Sequence, residues 1–390
     1  MSARAPVVFG EHEQPVVDQL VRCLEPEEGS LGVLCADAHL GYSAPIGGVM
    51  AYREHVSPSG VGYDIGCGNK AVLTDLRAED VRADVPRLMD RIVSEISFGV
   101  GRKNDEPVDH PVLDEIRTAA FGPQRKLHAL AASQLGTVGA GNHYVDLFED
   151  ETGAVWVGVH FGSRGFGHRT ATAFLELAGA QNGMQAPPAM LHVGSDLGQS
   201  YVEAMRLAGA YAYAGRDVVV DRVLGILGAR PVDEVHNHHN FAWREEHGGE
   251  DFWVVRKGAT PARPGQRGFV GSTMGEPSVI LEGVESDRSA DALYSTIHGA
   301  GRAMSRTAAA GRRRRGKQRT PGLIDWRSVL EDLRARGIEL RGGAADEAPG
   351  AYKRLPEVLA EHAGTVKVLH TLTPMGVAMA GEHTVDPYKD

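Results

Sequence analysis

Residues 35–70 read CADAHLGYSAPIGGVMAYREHVSPSGVGYDIGCGNK, and this block decides the fold class. Its glycines, among them Gly47, Gly48, Gly60, Gly62, Gly66 and Gly68, with Pro58 between them, are too dense for a helix. They predict short strands and tight turns that bring main chain close to something. Helical spacing of apolar residues flanks the block, at residues 15–24 and, more strongly, at 85–96. Farther along, residues 154–160 alternate as a strand and 169–179 follow as a helix. Residues 201–228 hold one or two helices, 252–255 and 278–281 read as strands, 326–336 and 355–362 as helices, and 366–372 as a closing strand. Strands and helices mix without regular βαβ alternation, so the expected class is α+β. No repeat and no long Pro/Ser-rich linker interrupts the chain. One large mixed domain over residues 1–390, with a polar tail at 382–390, is therefore expected.

A chain of 390 residues, 42% hydrophobic and 24% charged, has the composition of an ordinary globular protein with room for a large core. No apolar run approaches the roughly 18 residues of a membrane span, and the start lacks an apolar signal region, so no membrane partner is expected. Cys23, Cys35 and Cys67 are few and odd in number, which argues against a disulfide framework and for a reducing cytoplasm. The net charge of −10 excludes binding nucleic acid by bulk attraction. Any RNA contact must come from local basic clusters. One runs from Arg302 to Arg319, with eight basic residues and no acidic one; it is either an RNA contact or a solvated loop. Histidine is the compositional oddity, 17 residues against 10 phenylalanines.

Six segments place a metal-type ligand beside glycine, asparagine or another ligand. Asp64-Ile65-Gly66-Cys67-Gly68 puts a carboxylate and a thiol three residues apart. Gly139-Ala140-Gly141-Asn142-His143 ends a flexible run in a histidine, and His160-Phe161-Gly162-Ser163-Arg164-Gly165 starts from one at a strand end. His236-Asn237-His238-His239-Asn240 is a histidine cluster, His298-Gly299-Ala300-Gly301-Arg302 sets a histidine before small residues, and Asp37-Ala38-His39 lies upstream. Mixed O, S and N donors from distant segments suit a borderline divalent ion such as Mn²⁺, Co²⁺ or Zn²⁺. Each element alone also has a plain structural reading. A His-Gly pair serves turns, a lone cysteine behaves as a small hydrophobe, and Asp64 could simply form a turn. Neither H-E-x-x-H nor paired C-x-x-C occurs, so spacing alone indicates a metal site of unspecified reaction.

Taken in order, these segments resemble the signature set of the RtcB family of RNA-splicing ligases. Asp37-Ala38-His39-Leu40-Gly41-Tyr42 with Pro45-Ile46-Gly47-Gly48 is similar to its D-x-H-x-G-Y…P-I-G-G opening. The segments ending at His143 and starting at His160, with His239-Asn240, Arg256-Lys257-Gly258-Ala259, and His298 to Arg302 followed by Met304-Ser305-Arg306, match the rest. The resemblance implies two Mn²⁺ ions bridged by Cys67, with Asp64 and His239 on one and His143 and His160 on the other. It implies His298 as nucleophile, with Asp37 holding its other ring nitrogen. It further implies GTP as co-substrate and a covalent histidine–GMP intermediate. RNA 3′-phosphate or 2′,3′-cyclic phosphate ends would then be joined to 5′-hydroxyl ends, in tRNA splicing or RNA repair.

The implied guanylate pocket takes Asn142, His143, Asp146, His239, Asn240, Gly271, Ser272, Thr273, Met274, Ser278, His298, Gly299, Ala300 and Gly301. Arg164 and Arg302 are candidates for gripping RNA phosphates, because a planar guanidinium holds phosphate bidentately. Partners are RNA with broken ends and, as a further candidate, an archease-type activator. Three departures stand out. Gly271-Ser272-Thr273-Met274-Gly275 replaces P-G-S-M-G, Asp146 stands for glutamate, and Ala380-Gly381 replaces a terminal Lys-Gly. With the ligands and nucleophile intact, an active ligase with altered nucleotide contacts is expected. The alternative is a guanine-nucleotide-binding RNA-end sensor that has lost ligation. A deaminase would need H-x-E with P-C-x-x-C, which is absent.

Overall fold

The strand Ala154–Phe161 shows how sequence builds the centre of the molecule. Its β-branched residues alternate, as a pleated strand buried on both faces allows. Val155, Val157, Val159 and Phe161 pack into one apolar cluster with the helix Val85–Glu95 and the C-terminal half of the helix Asp196–Leu227. Trp156 faces the other way, into a second cluster with Phe148 and Phe269. His160 falls on that second face by the same alternation.

The structure is a computed structural model that describes residues 5–181, 183–314 and 317–381, with backbone alone at 312–314 and 317–319. The fold is mixed α+β. Ala154–Phe161 belongs to a sheet in the order Arg267–Val270, Ser278–Gly283, Val366–Gly381, Tyr144–Glu149, Ala154–Phe161, Gly68–Arg77, Pro231–His238, paired antiparallel throughout. Glu339–Gly343 adds in parallel to Val366–Gly381. The sheet's two ends approach each other: Phe269 N donates to Asn237 Oδ1 at 2.9 Å, and Arg267 pairs with Asp233. The sheet thus curls nearly into a barrel.

A second sheet runs Val7–Val8, Leu31–His39, Ile46–Tyr52, Glu250–Lys257, Asn240–His247. The chain steps from the first sheet to the second between His238 and Asn240, so His239 sits at the junction. The expected helices at 15–24, 85–96, 326–336 and 355–362 appear as Gln14–Leu24, Val85–Glu95, Trp326–Ala335 and Leu355–Glu361. Residues 201–228 lie in one helix, Asp196–Leu227, capped by the Ser195 hydroxyl and by Gly228 in the left-handed conformation. The closing strand runs on to Gly381, well past the expected 372. Among the described residues no helix is long and apolar enough to cross a membrane.

Candidate active site

Gly68 opens the strand Gly68–Arg77 and pairs with both neighbours at once, Phe161 on one side and His238 on the other. A Cβ there would lie 2.1 Å from Asn237 O, so only glycine lets the three strands close at this point. That closure brings the turn at Asp64–Cys67, the strand end at His160 and the junction at His239 together. His143, just before Tyr144–Glu149, arrives from the next strand over.

Cys67 Sγ lies 3.8 Å from His143 Nε2 and 3.7 Å from His160 Nε2. Among the described residues these three are the group whose ligand atoms lie mutually close enough for one ion. Asp64 Oδ2 is 3.2 Å from His143 Nε2. The His239 ring lies 5.1 Å from that of His160 and 5.1 Å from that of His298. His160 Nδ1 contacts Asn69 Oδ1 at 2.6 Å, which fixes the tautomer with its Nε2 lone pair toward Cys67.

Burial, reinforced by neighbouring imidazoles, pushes His160 and His239 well below the usual imidazole range, so both are neutral and able to donate a lone pair. Burial and the Asp64 charge push the Cys67 thiol far up, so its deprotonation calls for a cation in the site. Among the described residues, the Nδ1 atoms of His143 and His239 find no hydrogen-bond partner although both are buried. Donor chemistry and geometry both fit a divalent metal.

His298 follows the strand Ser295–Ile297. Its Nδ1 lies 2.6 Å from Asp37 Oδ2, a close but poorly aligned contact, and the same oxygen accepts from the His298 and Gly299 main-chain N–H groups at 3.0 and 3.3 Å. Asp37 is fully buried. Burial alone would raise its pKa, but the His298 charge and hydrogen bonds outweigh it and hold the carboxyl below the usual range. Gly301 makes this approach feasible: its φ is +75°, and a Cβ would lie 2.1 Å from Asp37 O. Gly301→Ala is expected to lower stability by at least about 1–2 kcal/mol from the left-handed backbone alone, with the clash adding to it. A denaturant midpoint equal to wild type would contradict this.

These groups line a cavity of about 330 Å³. Asn142, Asp146, Asn240, the Gly271–Met274 turn and the Gly299–Arg302 turn form its walls together with the metal-type ligands. Ser278 stands behind that wall, its hydroxyl accepting from Ser272 N at 2.9 Å. Asp37 lies beneath His298. Arg164 is not part of the lining. It takes a left-handed φ of +56°, and its guanidinium donates to Thr137 Oγ1 and Gly99 O. Arg302 does reach the cavity, but it is held by Glu347, Tyr352 and Asp346 O. Ala380 is buried beside Met379, which lines the cavity. Lys389 lies outside the described residues, as do the side chains of 312–319.

The family model described as tRNA-splicing ligase RtcB matches residues 30–121 and 119–380. This chain belongs to the RtcB family. The RNA-splicing ligase RtcB of Escherichia coli K12 is 33% identical over 370 residues, covering 86% of each chain. The tRNA-splicing ligase RtcB of Archaeoglobus fulgidus is 33% identical over 428 residues, covering 88% of this chain and 86% of its own. That of Thermococcus kodakarensis is 31% identical over 430 residues, covering 89% and 87%.

Sequence reasoning missed several wall residues of this RtcB pocket. Asn69 orients His160, and its position next to Gly68 was the available signal. Lys257, in the family's Arg-Lys-Gly-Ala run, points its ammonium at the Tyr42 and Ala44 carbonyls and supports the pocket floor. Glu347 and Tyr352 join the wall from far downstream, where no motif marks them.

Proposed function

We propose that this chain is a GTP-dependent RNA ligase that joins RNA 3′-phosphate or 2′,3′-cyclic phosphate ends to 5′-hydroxyl ends through a guanylate carried on His298. The observation that carries this reading is the His298–Asp37 pair opening into the same cavity as Cys67, His143 and His160. Asp37 holds Nδ1–H and leaves the Nε2 lone pair for attack at the α-phosphorus of GTP, forming a P–N bond as pyrophosphate leaves. Asp64, Cys67, His143, His160 and His239 would hold the divalent ions, Mn²⁺ first among them. A bound ion would supply Lewis-acid stabilisation of the charge on the phosphoryl oxygens.

The wall opposite suits a nucleotide. Tyr144 Oη, Asp146 Oδ1, Ser272 Oγ and Thr273 Oγ1 are buried with no hydrogen-bond partner among the described residues, an arrangement that costs stability unless a ligand satisfies it. Burial pushes the Asp146 carboxyl well above its usual range, which donors from a purine edge would relieve. GMP would next pass from His298 to the RNA 3′-phosphate, and the 5′-hydroxyl would then displace it. Arg302 is the candidate for the RNA phosphate, at the cost of its hold on Glu347. The decisive experiment incubates the protein with Mn²⁺ and α-labelled GTP, then with RNA bearing a 3′-phosphate and a 5′-hydroxyl. Label on the denatured protein and a joined RNA are expected. Label without joining would leave only the RNA-end sensor.

A further inference from the structure

Arg216 lies in the middle of the helix Asp196–Leu227 and is fully buried. Among the described residues it forms no ion pair with a carboxylate, and a buried cation in that condition is costly. Its partners explain why it is tolerated. Nη1 donates to Gly66 O at 3.0 Å and to Phe161 O at 2.6 Å. Nε donates to His236 Nε2 at 2.8 Å, and Nη2 lies 3.0 Å from His238 Nδ1. The Tyr213 ring covers the guanidinium at 5.1 Å. Three of the four residues it bonds adjoin a metal-type ligand: Gly66 precedes Cys67, Phe161 follows His160, and His238 precedes His239.

We propose that Arg216 is a positioning residue for the metal centre: one guanidinium clamps the main chain beside Cys67 and His160 and the His238 ring beside His239, so that the site is assembled before an ion enters. The inference rests on the metal reading of that site. A planar fork suits this task because three separate elements must be held at fixed directions from one point, and only arginine offers five donors in a rigid plane. Burial draws its pKa down to about 10, which leaves it charged at neutral pH. The Asp217 and Asp64 carboxylates supply nearby negative charge that partly offsets the burial. A lysine could satisfy one carbonyl but not all of these acceptors.

The test uses the full-length protein stripped of metal and titrated with Co²⁺, following the thiolate-to-cobalt absorption band that reports Cys67 coordination. Arg216→Lys is the deciding variant, because it keeps the charge and most of the stem. Arg216→Met removes both charge and donors. Arg222→Met serves as the control for weakening the same helix, since Arg222 holds Gly136 O and Asn104 at a distance from the ligands. Arg216→Lys is expected to weaken Co²⁺ binding about ten- to a hundredfold and to reduce the band, in the range seen when outer-shell partners of metal ligands are lost. Arg222→Met should leave both unchanged even where it lowers the unfolding temperature. If folded Arg216→Lys binds Co²⁺ within about twofold of wild type and with the same band, Arg216 only packs the core and the inference falls. If wild type itself shows no band, the metal reading fails and takes this inference with it.

Discussion

A His298→Ala protein incubated with Mn²⁺ and α-labelled GTP is expected to carry no label, whereas the wild-type chain carries one that acid removes and base does not. The expectation follows from the placement of the ring. One nitrogen is 2.6 Å from Asp37, and that carboxylate is itself fixed by two main-chain N–H groups. The other nitrogen is left for the cavity. Lys257, which also lines the cavity, is held by carbonyl oxygens. Removing a nucleophile from an assembled site typically costs on the order of a thousandfold or more. The fold should tolerate the change, since the His298 side chain is a cavity wall and not part of the apolar clusters. Asp37→Asn should fall between the two proteins, because it keeps the shape but loses the charge that steadies the imidazolium. Undiminished labelling of His298→Ala would end the assignment. Acid-stable label on the wild type would point to a different residue class.

The parts of this site that could be read from sequence are those in which chemistry and flexibility sit side by side. Asp64, Cys67, His143, His160, His239 and His298 each lie within two residues of a glycine or asparagine, and all six meet in one cavity. The expected α+β class also appears, because alternation in residues 154–160 and helical spacing in 85–96 are strong local signals. What escaped is what depends on distance. The helix Arg164–Leu177 begins five residues before the expected 169, since glycines at 165 and 167 argue locally against helix. Yet a Cβ at Gly167 would collide with the Ser163 hydroxyl, so tight packing calls for glycine there. Arg164 shows the limit of motif reading. An arginine next to a histidine motif looks like a phosphate grip, but its Nε and Nη2 donate to Thr137 and Gly99 and it lies outside the cavity lining. Arg216 carries no local signal at all: it sits in an Ala- and Val-rich helix, and its meaning comes from carbonyls about 55 and 150 positions away.

Within the histidine cluster, His239→Ala is expected to weaken metal binding together with Cys67→Ala, while His236→Ala does much less. Three histidines in four residues look interchangeable in sequence, but strand alternation and the sheet junction separate them. His236 gives Nε2 to Arg216 at 2.8 Å and turns Nδ1 toward Asp217 at 3.5 Å, so neither nitrogen is available to the cavity. His238 has its Nδ1 beside Arg216 and Gly66 O, and the ring is not part of the cavity lining. His239, one residue on, lines the cavity, stacks beside His160 and leaves Nδ1 without a protein partner. Its main chain is tied to the same turn, His239 N donating to Cys67 O at 2.8 Å, so the two residues are held together. Cys67→Ala removes the sulfur that lies within 4 Å of two imidazole nitrogens. If that sulfur is shared between ions, both are lost at once, and affinity should drop about a hundredfold or more, beyond the loss from an outer-shell change. Guanylation and RNA joining should then fall in parallel. Metal content measured on purified variants, beside the labelling assay, separates the cases. Equal loss in His236→Ala and His239→Ala would place the ligand wrongly within the cluster. A Cys67→Ala protein with full metal content would remove sulfur from the centre and leave Asp64, His143, His160 and His239 to hold the metal.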